Sequence, residues 1–172
     1  MRRAENLART VSPRNEKIGQ VLESIFSDEN RKLSCSELTL LEFHNNLTTN
    51  LRSHSNSDWD YDWWLQSRNM LFSEISRERI LVLPTPPKAA EHVMSLVTLA
   101  TQVHKRAFRA WDAMHVVIAA RWAYDLNAKV ELLTADGDFD AALEITLFGG
   151  RLSISNLDVQ ASTGDGFDRR NR

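Results

Sequence analysis

Apolar positions along the chain follow two alternating patterns, one typical of helices and one of short strands. Apolar residues spaced three and four apart predict a helix that begins at Ser12-Pro13, helices over Glu37–Leu51 and Asp58–Arg77, a helix from Ala89 to Val103, and a helix through Asp112 to Leu126. The segments between them predict strands at Lys32–Ser36, Ile80–Leu83, Val130–Leu133 and Arg151–Ser155. A short helix is expected from Asp138 or Phe139 to Gly149-Gly150.

Short strands that alternate with helices favour a parallel sheet covered by helices on both faces. The expected fold class is therefore α/β, with a short parallel sheet in a three-layer α/β/α arrangement. The long helical stretch between Glu37 and Arg77 predicts a helical hairpin that projects from this sheet. Beyond Gln160 the chain consists mainly of Ser, Gly, Asp and Arg, so we expect a disordered tail over residues 160–172.

An acidic residue interrupts the most apolar helix of the chain. From Ala110 to Ala120 only Asp112 and His115 break a run of apolar residues, which predicts a helix buried on every face. A carboxylate is rarely buried unless it is paired or binds a metal. If the helix starts near Arg106, a full turn precedes Asp112 and a functional role is favoured over a capping or dipole role. His115 either hydrogen-bonds Asp112 or is a satisfied core residue.

Two further acids follow the strand Val130–Leu133 directly. Open α/β sheets place their ligand sites just past the carboxyl ends of the strands, where Asp136 and Asp138 lie. Asp136 is the better candidate ligand, whereas Asp138 suits the N-cap of the next helix equally well. Together with Asp112, these residues predict an acidic pocket that binds a metal ion.

Glu42 is the remaining candidate acid. It lies in a helical turn whose neighbours, Leu38 to Phe43, are almost all apolar. The alternative is an exposed glutamate on an amphipathic helix, where it stabilises the helix through the dipole. Glu37, at the start of the same helix, is better explained as a cap or dipole partner.

Composition limits the remaining function classes. The chain has 172 residues, enough for one domain with a core, and its apolar stretches at Val93–Ala100 and Val116–Ala120 are too short to span a membrane. Met1–Thr10 lacks the apolar run of a signal peptide. The single cysteine, Cys35, cannot form an internal disulfide, which is compatible with the cytoplasm. We expect a cytoplasmic protein that does not contact membranes.

A net charge of −2 gives no global attraction to nucleic acid, so any such contact must be local. Lys105, Arg106 and Arg109 precede Asp112 and are candidates for contact with an RNA backbone; the alternative is a solvated helix end. Trp59, Trp63 and Trp64 could stack on bases, or could belong to a helical core or to a contact between two copies in a homodimer.

Three segments together resemble the PIN-domain family of metal-dependent nucleases, which includes the ribonuclease toxins of VapBC toxin–antitoxin pairs. Ser36–Glu42 is similar to the strand–helix junction that carries the second acid of the family. Asp112–His115, followed by Ala119-Ala120, is similar to the helix with the third acid. Leu133–Phe139 is similar to the strand exit with the fourth and an additional acid. The resemblance extends from about Ser12 to Val159 and implies a PIN-like domain over residues 1–159.

The resemblance implies an endoribonuclease in which Glu42, Asp112 and Asp136 converge on one or two Mg²⁺ or Mn²⁺ ions. The metal would lower the pKa of a bound water and stabilise charge on the phosphate during hydrolysis of RNA. Asp138 would bind a second metal or orient water. A small antitoxin protein is a further implied partner.

One part of the family pattern is missing from this sequence. Family members open with a central strand that ends in an aspartate, whereas this chain opens Met1-Arg2-Arg3-Ala4-Glu5-Asn6. We expect a truncated reading frame, or alternatively a degenerate copy, and a vacant position beside the strand Val130–Leu133. Two other functions remain open. The chain could be a catalytically impaired PIN-like module that binds RNA or protein, or an α/β domain whose acids are caps.

Overall fold

The computed structural model describes residues 13–53, 61–105, 108–136, 139 and 150–157. These residues fall into two compact units. The first unit contains Asp28–Pro84, and the second contains Ser12–Ser27 together with the chain from Thr85 onwards. In chain order, the elements are α1 Pro13–Phe26, β1 Leu33–Ser36, α2 Glu37–Ser53, α3 Tyr61–Ser76, β2 Ile80–Leu83, α4 Ala89–His104, α5 Ala110–Asp125, β3 Val130–Thr134 and β4 Leu152–Asn156.

The first unit is a pair of parallel strands joined through two helices. β1 pairs with β2 from Leu33 opposite Ile80 to Ser36 opposite Leu83. Parallel neighbours need a long crossover connection, which α2 and α3 supply. These two helices pack against each other, and α2 also packs on β1.

Ser36 ends β1 and starts α2. Its Oγ accepts a hydrogen bond of 3.0 Å from the backbone N–H of Thr39 and lies 2.9 Å from the Thr39 hydroxyl. This is the N-cap arrangement that satisfies one of the free N–H groups of a first turn. Glu37 follows in that first turn, where its negative charge interacts favourably with the helix dipole, in agreement with the role expected for it.

The second unit combines a second parallel pair with two packed helices. β3 pairs with β4 from Val130 opposite Leu152 to Thr134 opposite Asn156. The Val130 N–H donates a 2.8 Å hydrogen bond to the Arg151 carbonyl and extends the ladder by one residue. α5 packs against α4 and against both strands.

The core of the second unit is formed mainly by α4 and α5. Its buried residues are Ala89, Val93, Leu96, Ala100, Phe108, Ala113, Val116, Val117 and Phe139. Leu132, Leu152 and Ile154 pack against this cluster from the strands. Alanines at the centre of α5 allow the helix to approach its neighbours closely, because they add little side-chain volume between the backbones.

The mixed α/β class and the parallel pairing of the strands are confirmed. The strands differ from the expected single sheet, because those that the structure describes form two separate two-stranded sheets. Within the described residues β3 pairs with β4 alone, and a vacant position beside β3 stays a prediction. Three expectations concern residues outside the described ranges. They are the start of the Trp-rich helix at Asp58, the helix toward Gly149-Gly150, and the tail over residues 160–172.

Leu96 and Met94 provide a matched test of the second core. Leu96 is 1% exposed, whereas Met94, two positions away on α4, is 63% exposed. We expect Leu96→Ala to lower the free energy of unfolding by about 2–5 kcal/mol, because it removes buried methyl groups and leaves a cavity. Met94→Ala should change it by less than about 0.5 kcal/mol. Urea unfolding measures both, and equal losses would contradict this core.

Candidate functional site

Asp112 lies in the first turn of α5. The helix begins at Ala110, and Arg109 is its N-cap residue, with extended backbone angles and no side-chain capping bond. The expectation of a start near Arg106 is therefore wrong, and no helical turn precedes Asp112. A carboxylate in a first turn is favoured by the helix dipole. The structure thus gives Asp112 an ordinary stabilising role in addition to any chemical one.

The burial of α5 is uneven. Five consecutive residues, Val116 to Ala120, are buried, so the centre of the helix is enclosed as expected. The first turn is different, because Ala110 is exposed and Trp111 is 62% exposed. The expectation of burial on every face is therefore wrong for the first turn. Asp112 and His115 are half-buried, and the Oδ2 atom of Asp112 is itself buried.

Asp136 lies two residues beyond the end of β3, in a turn held by its own backbone. The Asp136 N–H donates a 3.0 Å hydrogen bond to the Thr134 hydroxyl, and the Asp136 carbonyl accepts one of 3.5 Å from the Phe139 N–H. A hydroxyl two residues back is a common turn-forming partner. The side chain of Asp136 is exposed at the carboxyl end of the strand. Asp138 lies outside the described residues.

Two aromatic residues connect the segments that carry Asp112 and Asp136. The rings of Phe108 and Phe139 meet edge to face, with centroids 5.9 Å apart and planes at 86°. Both rings are buried in the core of the second unit. Phe108 lies two residues before the start of α5, and Phe139 lies three residues beyond Asp136. Their contact holds the start of α5 and the end of β3 at the same end of the second unit.

The chain path agrees with this placement. Residues 126–129 form a short connection from α5 to β3, and the helix packs on the strand. A helix and a strand joined by so short a connection and packed together run in opposite directions, so the helix start and the strand end lie at one end. Asp112 and Asp136 therefore belong to one end of the same unit.

This pair of carboxylates suits a hard divalent cation. Mg²⁺ prefers oxygen ligands and is commonly bound by one or two carboxylates, with waters and substrate phosphates completing its coordination. Asp112 and Asp136 are two carboxylates of the second unit that could contribute ligands to such a site. In the part of the chain that the structure describes, no three His, Cys, Asp or Glu side chains are grouped to hold a metal ion. The expected set of Glu42, Asp112 and Asp136 stays a prediction.

Glu42 belongs to α2 in the first unit, and its side chain is exposed. The apolar residues around Glu42 are not all buried, because Leu38 is buried whereas Leu41 is 68% exposed. This exposure agrees with the alternative of a glutamate on the outer face of an amphipathic helix.

The basic and aromatic residues expected to contact RNA differ in their exposure and contacts. Lys105 and Arg109 are exposed, and Arg106 and Trp59 lie outside the described ranges. Trp64 stacks on Tyr61 at 5.6 Å and meets the ring of His44 at 5.9 Å, so α2 and α3 are joined through this side chain. These contacts favour the packing role of Trp64 over base stacking.

Sequence reasoning missed Phe108, Phe139 and Trp111 as residues that shape this end of the unit. Two phenylalanines that flank the acidic segments are a weak signal, because apolar residues next to helices and strands are common. The exposure of Trp111 could not be recognised, because its apolar neighbours predict a buried helix face.

Comparisons of the chain with protein-family models, with curated proteins and with solved structures found no match. Within the described residues, no helix combines the length and the apolar character needed to cross a membrane. The function must therefore be argued from the residues and their geometry.

Thr134 provides a test of the turn that holds Asp136. Thr134→Val keeps the shape and the strand propensity of the side chain but removes the hydroxyl acceptor. We expect the free energy of unfolding to fall by roughly 0.5–1 kcal/mol and the Asp136 amide to exchange faster with solvent. Thr134→Ser retains the acceptor and should preserve amide protection. Equal protection in wild type and Thr134→Val would contradict the hydrogen bond.

Cys35, half-buried in β1, provides a test of the first unit. Burial raises the pKa of the Cys35 thiol above the ordinary cysteine value, because the thiolate loses solvation. We expect iodoacetamide to modify the native protein more slowly than the urea-unfolded protein at the same pH, since the thiolate is the reactive form. Stability should be fully present below the pKa of an unfolded cysteine and decline as pH rises through the raised value. Equal native and unfolded rates would contradict this burial.

Proposed function

We propose that this chain is a metal-dependent endoribonuclease of the PIN type, in which Asp112 and Asp136 hold Mg²⁺ or Mn²⁺. The observation that supports the proposal is the buried contact between Phe108 and Phe139, which keeps the two acidic segments at one end of the second unit. Acids that are distant in sequence but carried by segments at one end of a fold are typical of sites that bind a metal and a phosphate.

Each candidate residue has a distinct role in this proposal. Asp112 supplies a rigid ligand, because its helix is anchored by buried neighbours on α5. Asp136 supplies a ligand from a turn that its backbone hydrogen bonds restrain. Glu42 is the third expected carboxylate, and Asp138 would bind a second metal or orient the attacking water. When bound, the metal lowers the pKa of a water ligand and neutralises charge on the phosphate.

The exposed cations near Asp112 complete the proposal. Lys105 and Arg109 would contact phosphates of the RNA and offset the repulsion between the substrate and the two carboxylates. A toxin role with a small antitoxin partner is part of the same proposal and rests on the resemblance in sequence alone.

A second candidate is a PIN-like module that binds RNA or a protein without cleaving RNA. Two observations favour it. Glu42 is exposed on α2, and Asp112 lies where the helix dipole alone gives it a structural role. Under this alternative the acids stabilise the fold, and Mg²⁺ or Mn²⁺ has no specific effect on it.

Asparagine variants separate the two candidates. We expect Asp112→Asn and Asp136→Asn each to reduce Mn²⁺- or Mg²⁺-dependent RNA cleavage by at least about a hundredfold, because each removes a charged metal ligand. Asp112→Asn should lower stability by no more than about 1 kcal/mol through the dipole. Cleavage is measured on a labelled RNA with and without EDTA, and stability by thermal unfolding.

Asp125 provides the matched control at the opposite end of α5. It forms an exposed ion pair of 2.8 Å with Arg121, so Asp125→Asn removes a helical carboxylate of no proposed function. This variant should cleave RNA as well as wild type does. Cleavage that persists in EDTA, or that is equally lost in Asp125→Asn, would contradict the proposal. RNA binding by wild type without any metal-dependent cleavage would favour the second candidate.

A further inference from the structure

Trp111 is a tryptophan whose side chain is exposed at the start of α5. Its side chain is 62% exposed, and it makes no ring or cation–π contact within the described part of the second unit. Trp122, on the same helix, is half-buried, and the exposed Tyr124 packs under the Arg121 guanidinium at 5.9 Å. A single exposed apolar side chain is common on protein surfaces, so a binding surface is indicated here only together with the charged residues near Trp111.

Two cations lie at the same end of the unit as Trp111. α4 ends at His104 and α5 begins at Ala110, and because the two helices pack together, the link that carries Lys105 and Arg109 lies beside Trp111. Both cationic side chains are exposed, and neither forms an ion pair with a described carboxylate.

The helix dipole explains only one of these cations. Lys105 follows the carboxyl end of α4, where a positive charge is favourable. Arg109 is the N-cap of α5, where the dipole disfavours a positive charge and where serine, threonine, aspartate or asparagine is usual. A cation at an unfavourable helix position beside an unpacked tryptophan favours an anionic ligand with a flat apolar part.

We propose that Trp111 stacks on a base of a single-stranded RNA while Arg109 and Lys105 contact the adjoining phosphates. Nucleotides combine an aromatic face with a negative charge, and proteins that bind single strands use this combination of aromatic and basic side chains. Trp111 directly precedes Asp112, so the stacked base fixes which phosphate lies at the acidic end of the unit. Trp111 is thus a positioning residue, and this inference rests on the proposed function.

The test measures RNA binding separately from cleavage. Fluorescence anisotropy of a short labelled oligouridylate is recorded in EDTA with the full chain, over a series of salt concentrations. We expect Trp111→Ala to weaken binding by about five- to a hundredfold. Trp111→Phe should lose less RNA affinity than Trp111→Ala, because phenylalanine retains an aromatic face. Tyr124→Ala, which removes an exposed aromatic at the other end of α5, should bind as wild type does.

The salt dependence distinguishes stacking from a phosphate contact. Trp111→Ala should leave the slope of log K against log salt unchanged, because stacking releases no counterions. Arg109→Ala should make the slope shallower by about 0.7, the amount expected for one lost phosphate contact on a single strand. All variants are first checked for wild-type thermal unfolding. A fully paired duplex should bind more weakly than the single strand, since its bases are not free to stack.

Three results would overturn the inference. The first is that Trp111→Ala binds RNA with wild-type affinity, and the second is that the wild-type protein binds duplex and single strand equally well. The third is that the protein is a dimer that Trp111→Ala dissociates while its affinity for RNA stays unchanged. The last result would identify Trp111 as a contact between two copies. The nuclease proposal is judged independently by the metal-dependent cleavage of the Asp112 and Asp136 variants, so the two proposals can fail separately.

Discussion

The contact between Phe108 and Phe139 is the constraint on which the arrangement of the second unit depends. Phe108 lies just before α5 and Phe139 lies three residues beyond Asp136, and both rings are buried in the same core. An edge-to-face aromatic pair contributes about 0.5–1.5 kcal/mol beyond the area that it buries. This contact joins the residues just before α5 to those that follow β3.

Asp112 has a structural position that bears on the metal-binding role proposed for it. Its place in the first turn of α5 stabilises the helix, and its Oδ2 atom is buried. A site that needs negative charge in a partly apolar setting benefits from a helix N-terminus, because the dipole reduces the cost of keeping the carboxylate ionised. In the proposed site the same dipole would weaken the attraction of Asp112 for a cation, so a second carboxylate such as Asp136 would be needed to bind the metal well.

Local sequence signals predicted the helices and strands well. The pairing of the strands and the burial of individual side chains depend on long-range packing and could not be predicted in the same way. The predicted junction of the first strand and its helix between Ser36 and Glu37 is confirmed, and the ends of β3 and β4 differ from expectation by one residue. The start of α5 could not be recognised, because Phe108 and Arg109 are not capping residues and the burial of Phe108 fixes the chain there. Which strands pair, and which acids approach each other, depends on such contacts between distant residues.

The central claim is that Asp112 and Asp136 bind one divalent cation at one end of the second unit. Mn²⁺ titration followed by backbone amide NMR tests it directly, because this paramagnetic ion broadens the signals of nearby amides. At substoichiometric Mn²⁺ we predict simultaneous loss of the signals of Ala110–Ala113 and Thr134–Asp136, with those of Tyr124 and Asp125 retained. Broadening of only one of the two segments, or of neither, would contradict the account.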